Sequence, residues 1–223
     1  AADDYYNRWE IVTFTRIIRY IAAVLTVALP GMYIAIANYQ SEIIPTDLTL
    51  SFAAAREGVP FSVVFEVIIM EVAFEFLREG GIRLPGPMGN TIGIVGGLII
   101  GDAAVSANLV SPIIVIVVAL TAVASFTIPN EAFASAFRLS RYLVIALSAW
   151  LGLYGFICAI VLLLIHLSSL ESFGIPYLMP YVASGLEGGE DARDSVIRFP
   201  TSKLYKRPMY AKEKERIRLK RKE

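Results

Sequence analysis

Histidine and cysteine occur once each in this 223-residue chain, as His166 and Cys158. A single cysteine excludes an internal disulfide, and a single histidine excludes a His-rich metal site. Net charge is lacking as well, since 20 Lys and Arg balance 20 Asp and Glu. There is no phosphate-binding loop, no metal-ligand cluster and no nucleophile-base spacing around Ser111, Ser125 or His166, so neither catalysis nor a cofactor is expected. The glycines do not follow a strand, which argues against a dinucleotide site. The basic tail has only Tyr205 and Tyr210 interleaved in it, so nucleic acid is not an expected partner. A signal-peptide pattern is absent: the chain starts Ala1-Ala2-Asp3-Asp4, and its first apolar run follows a mixed-charge segment. Without a starting Met, it reads as a piece of something longer.

Apolar residues are what the chain has in excess. They make up 56% of it, with a mean hydropathy of +0.62, against about 45–50% in soluble domains. The expected class is an all-α, polytopic membrane protein with about four or five membrane helices plus interfacial helices over residues 1–181, followed by a basic polar tail, 182–223, in part disordered. Tyr20 to Ser41 is free of charge for 22 residues, enough to cross a hydrocarbon core of about 30 Å at 1.5 Å per residue, with a bend expected at Pro30-Gly31. Tyr142 to Ser169 is uncharged for 28 residues and is the clearest span. Ala103 to Asn130 is also uncharged for 28, too few for two spans and a turn, so the segment before it either starts crossing near Met88 or is re-entrant. Between the first spans, Pro45-Thr46-Asp47 predicts a turn leading into a short interfacial helix, Leu48 to Arg56. Ser168 to Pro180 carries too much Pro, Gly and aromatic residue for regular helix.

The chain is organised around Arg78 to Asn108. This stretch opens as a basic, proline-kinked loop and becomes an apolar segment in which Gly89, Gly93, Gly96, Gly97, Gly101 and Ala104 recur at steps of three and four. Missing side chains let membrane helices approach closely, so this periodicity predicts a helix-packing face. Just before it, Phe61 to Leu77 is apolar but carries Glu66, Glu71 and Glu75. At 100° per residue Glu71 and Glu75 share a face and Glu66 lies nearly opposite Glu75. An ionised side chain facing lipid costs roughly 2.5–3.5 kcal/mol, so these carboxylates must be paired, protonated, or turned to water or protein. Glu66, Glu71, Glu75, Asp102 and Asn108 are the candidates for an ion path or for buried charge. The competing reading pairs the glutamates with Arg56, Arg78 or Arg83, or with a neighbouring subunit. Cys158 reads as a buried small hydrophobe and His166 as an interfacial residue.

Ten Lys and Arg but only two acids lie between Lys203 and Lys222. The positive-inside tendency makes that tail cytoplasmic, and Arg16/Arg19, Arg78/Arg83 and Arg138/Arg141 look cytoplasmic too. Five crossings cannot satisfy all of them, so an even number is expected. The tail either binds anionic lipid heads or only sets orientation.

Several runs in register carry a family resemblance: Leu29-Pro30-Gly31-Met32-Tyr33, Glu42-Ile43-Ile44-Pro45-Thr46, Ala55-Arg56-Glu57-Gly58-Val59-Pro60-Phe61, Leu77-Arg78-Glu79-Gly80-Gly81-Ile82-Arg83-Leu84-Pro85, Ile94-Val95-Gly96-Gly97-Leu98, Ser125-Phe126-Thr127-Ile128-Pro129 and Ser172-Phe173-Gly174-Ile175-Pro176. From Asp3 to Pro180 the chain resembles the GerA-type spore germination proteins, namely the A subunit of the germinant receptor and its SpoVAF-like relatives. The matching motif residues are Pro30, Glu42, Pro45, Arg56, Pro60, Arg78, Glu79, Arg83 and Pro85. The resemblance implies a subunit of a receptor in the inner membrane of a bacterial endospore. It further implies assembly into a ring that forms a gated ion path, alongside a nutrient-binding membrane subunit and a lipoprotein. The large soluble N-terminal domain of that family is not in this sequence, Glu171 stands where a basic residue is expected, and Asn38-Tyr39-Gln40 replaces a Phe-His-Pro-like sequence.

Overall fold

A computed structural model describes residues 6–83, 87–178, 181 and 196–200, with the backbone alone at 82–83, 87–95 and 175. Six helices follow in order: α1 (Trp9–Tyr39), α2 (Thr46–Ala55), α3 (Val63–Arg83), α4 (Pro87–Ser106), α5 (Pro112–Phe126) and α6 (Glu131–Ser169). A 3-10 turn, Ser41–Ile43, separates α1 from α2. The described fold is helical except for a hairpin in which Glu171–Ser172 (β1) pairs antiparallel with Ile175–Pro176 (β2). Two helices, α1 and α6, are long and apolar enough to cross a membrane, and α5 is a shorter apolar helix. Of the four or five spans expected from sequence, two meet the length and composition test among the described residues. Of the expected basic tail, 182–223, only residues 196–200 are among those described.

By packing, the chain divides into two compact units, Ala22–Val161 and Ala1–Ile21 with Leu162–Glu223. In the smaller unit, the backbone N–H of Arg198 donates to Thr13 Oγ1 at 3.2 Å, and its Nη1 donates to the Asn7 carbonyl at 3.2 Å. The larger unit is built around Tyr33, Ile34, Val63, Val67, Met70, Val110, Ile114, Val118 and Ile145, which draws α1, α3, α5 and α6 onto one core.

Local sequence explains most element boundaries. Pro112 begins α5, where its missing N–H costs nothing, and the extended Ser111 before it is the conformation a following proline favours. Asn108, with φ 52°, ends the run after α4, as a residue able to turn left-handed does at a helix terminus. Arg78 to Arg83 was expected to be loop, yet α3 runs through it. The helix carries past Arg78, whose side chain is anchored to Ser125 and Glu131.

α1 is continuous through Pro30. There Gly31 is needed for contact: a Cβ on it would lie 2.7 Å from Val144 Cγ1 and 3.0 Å from Ser148 Oγ of α6. The break that does occur is in α6, where Gly152 adopts φ 62°, ψ −136°. Only glycine tolerates that backbone, and it frees carbonyls of the preceding turn. The Tyr39 hydroxyl answers one of them, donating to the Ala149 carbonyl at 2.6 Å. Cys158, expected to be buried, is exposed on α6, because it lies on a side of that helix with Ile157, Val161 and Leu162, which are also exposed.

Candidate functional site

The three glutamates of α3 leave the helix in two directions, as their spacing requires. Glu66, in the first turn of α3, is fully buried. Arg56 Nη2 donates to its Oε1 at 3.1 Å, and the Ser111 backbone N–H donates to its Oε2 at 2.8 Å. That N–H opens α5, so the carboxylate sits at the positive end of a helix dipole and satisfies a donor the helix cannot. Tyr33 Oη, Ser111 Oγ and Arg56 Nε are also buried but lack partners.

Glu71 and Glu75 point the other way, toward α6. Arg141 Nη2 meets Glu71 Oε2 at 2.9 Å, with both side chains almost wholly buried, 4% and 2% exposed. One turn along, Arg138 Nη1 meets Glu75 Oε1 at 3.2 Å. Arg78 then reverses the polarity: its Nη2 donates to Glu131 Oε1 at 2.9 Å, its Nη1 to Ser125 Oγ at 2.9 Å, and its guanidinium lies 5.0 Å from the centroid of the Phe126 ring. Residues 71, 75 and 78 thus meet 141, 138 and 131, a ladder of ion pairs between two helices running in opposite senses. Its exposure increases along its length, the acid being 2% exposed at Glu71, 39% at Glu75 and 62% at Glu131.

α4 lies against α3 and α5 by its small residues. A Cβ on Gly96 would meet Leu77 Cδ2 at 2.6 Å, on Gly97 Phe74 Cε1 at 3.6 Å, and on Gly101 Val115 Cγ1 at 3.2 Å. Ala104 packs on the core. Gly89 and Gly93 belong to α4 by backbone, in a stretch whose side chains are not described. Outward from α4 point Leu98 (72% exposed), Ile99 (59%) and Asp102, also exposed. An acid so near a helix C-terminus opposes the dipole, so Asp102 is not there to stabilise the helix. Asn108 is exposed in the turn beyond α4.

Between α3, α4, α5 and α6 lies a cavity of about 650 Å³, whose lining includes Glu71, Leu98, Asp102, Ala119, Phe126 and Arg141. No group of three or more His, Cys, Asp or Glu able to hold a metal occurs among the described residues.

The motif residues fall both at element boundaries and inside helices. Pro30 is inside α1, Glu42 is in the 3-10 turn, Pro45 caps α2, Pro60 precedes α3 and Glu79 is exposed on α3. Of Arg83 only the backbone is described, and Pro85 lies outside the described residues. Arg138, Arg141, Glu131 and Ser111 were not singled out from sequence as partners of α3. The available signal was the Arg138/Arg141 pair three apart at the head of the longest apolar run, which had been read only as a mark of the cytoplasmic side.

The family model described as Bacillus/Clostridium GerA spore germination protein matches residues 1–210. The chain is 43% identical to spore germination protein GerLA of Bacillus cereus over 215 residues, covering 96% of this chain and 43% of the relative. It is 44% identical to spore germination protein KA of Bacillus subtilis (strain 168) over 218 residues, covering 98% of this chain and 40% of that protein. A third relative, an uncharacterized membrane protein YfkQ of Bacillus subtilis (strain 168), is 40% identical over 210 residues, covering 93% of this chain and 40% of its own length. The chain therefore spans about two fifths of the curated relatives it matches. No solved structure matches it. With one family matched over nearly its whole length and an all-helical bundle bearing the motif residues, this chain belongs to the GerA spore germination family.

Proposed function

We propose that this chain is the membrane part of a nutrient-responsive germinant-receptor subunit, and that like chains assemble into a ring forming a gated ion-release path. In this reading it lies in the inner membrane of a bacterial endospore, crosses it several times with its basic tail in the cytoplasm, and works beside a nutrient-binding membrane subunit and a lipoprotein. It performs no catalysis. The observation that carries the reading is the split character of α4: Gly96, Gly97 and Gly101 pack on α3 and α5, while Leu98 and Asp102, one turn apart, are exposed along the open groove beside them. Repeated around a ring, such a face supplies an apolar constriction, which gates by dewetting, and a circle of carboxylates, which favours cations. Glu66 and Glu71 are not path ligands in this reading, because Arg56 and the Ser111 N–H take both oxygens of Glu66, and Glu71 is paired with Arg141 where both side chains are buried.

The test is cation efflux from liposomes holding the complete receptor. Asp102→Lys is expected to suppress efflux while the complex stays assembled, and unchanged efflux would end the proposal. A second reading, a non-conducting subunit that relays a signal, is favoured by the ladder between α3 and α6: pairs that hold two helices in one arrangement can hold them in another. It requires that the wild-type receptor pass no cations in the same assay.

A further inference from the structure

The hairpin that follows α6 turns through a fully exposed phenylalanine, Phe173. Its loop is Phe173-Gly174, with φ of 52° and 75°, the pair of positive values that a type I′ turn requires. Glycine, asparagine or aspartate takes such a backbone readily. For a phenylalanine it is an outlier, and strain of this kind persists where a side chain serves a function. Glu171 pairs with Pro176 and Ser172 with Ile175, and the Tyr177 N–H donates to the Leu170 carbonyl at 2.8 Å. Side chains alternate along a strand, so Leu170 and Tyr177, directly opposite, share one face and Glu171 takes the other. All three are exposed, which leaves the hairpin apolar on one face and acidic on the other.

The helices of the same unit place this hairpin beside a membrane boundary. The charge-free run of α1 begins at Tyr20, and that of α6 ends at Ser169, with Leu170 alone between it and β1. Beyond the hairpin, Tyr181 is close enough to Tyr20 to interact with it electrostatically. Both helix ends thus mark one boundary, the level at which aromatic side chains concentrate. Three exposed side chains are far fewer than the roughly 20–30 residues a side of a standard protein interface. A bilayer requires no such area, because α6 already holds the hairpin at its surface and insertion adds no separate loss of translational freedom.

We propose that this hairpin is a bilayer anchor: Phe173 enters the boundary between lipid headgroups and acyl chains, Leu170 and Tyr177 face the lipid, and Glu171 faces water. The proposal rests on α1 and α6 crossing the membrane, as read above, but on neither a ring nor an ion path.

The test places p-benzoylphenylalanine at one position at a time in the full-length protein in phosphatidylcholine nanodiscs, and identifies its adducts by mass spectrometry after irradiation. In place of Phe173 it is expected to give lipid adducts about tenfold above those in place of Glu171, the lower end of the preference that burying a phenylalanine ring confers. The photoreactive group is the same at both positions, so its own affinity for lipid cancels. In place of Ile165, exposed near the end of α6, it reports on the span itself. Lipid adducts at 165 with none at 173, equal yields at 173 and 171, or a crosslink from 173 to a second copy of the chain or to another protein overturns the anchor. No lipid adduct at 165 overturns the crossing on which the anchor rests, and the anchor with it.

Discussion

Glu66 and Glu71 stand five residues apart on one helix, are equally buried, and are neutralised in different ways. Glu66 is held by a half-exposed arginine from a short loop and by the opening N–H of α5, so each oxygen has a donor. Glu71 depends on one guanidinium from a distant helix, and its second oxygen has none. Glu131, at the far end of the same ladder, is mostly in solvent although two arginines reach it. The contrast predicts that burial of the partner left behind, and not the number of contacts, ranks what each carboxylate pair is worth.

That ranking is open to test by thermal unfolding of the full-length protein in detergent. The largest effect is expected for Arg141→Met, which strands Glu71 in the core and should destabilise by about 3–5 kcal/mol. Adding Glu71→Leu to that variant should recover most of the loss, because removing both members of a buried pair is often near neutral. If the double variant is as unstable as the single one, the pair is not what costs energy. Glu66→Gln should cost about 1–3 kcal/mol: the amide still accepts from the Ser111 N–H, while Arg56 can turn to water. Smallest is Glu131→Gln, expected at about 0–1 kcal/mol, as for other exposed pairs. A Glu131→Gln loss rivalling that of Arg141→Met would break the comparison.

Much of this arrangement was legible in the sequence. The spacing of 66, 71 and 75 put the glutamates on two faces. The small residues of α4 were visible as a stripe, though not which helices would meet them. What sequence did not supply were partners distant along the chain. Arg141 is 70 residues from Glu71, and nothing local distinguishes it from an interfacial arginine. Arg78 and Arg83 were nearer candidates, but Arg78 is drawn to Glu131 by Ser125 and Phe126, which only the packing of α5 brings beside it. The break at Gly152 was equally hidden: Tyr39 lies where a Cβ would be, and one glycine in an apolar run carries no mark of that.

These contrasts bear on function through a single point, that the acids of α3 serve architecture while the outward face of α4 serves the proposed path. The most direct measurement is cation efflux from liposomes carrying the complete receptor with Glu71→Leu and Arg141→Met together. The account expects the double variant to assemble and to release cations at close to the wild-type rate. An assembled double variant that passes none would make Glu71 part of the path itself and contradict the account.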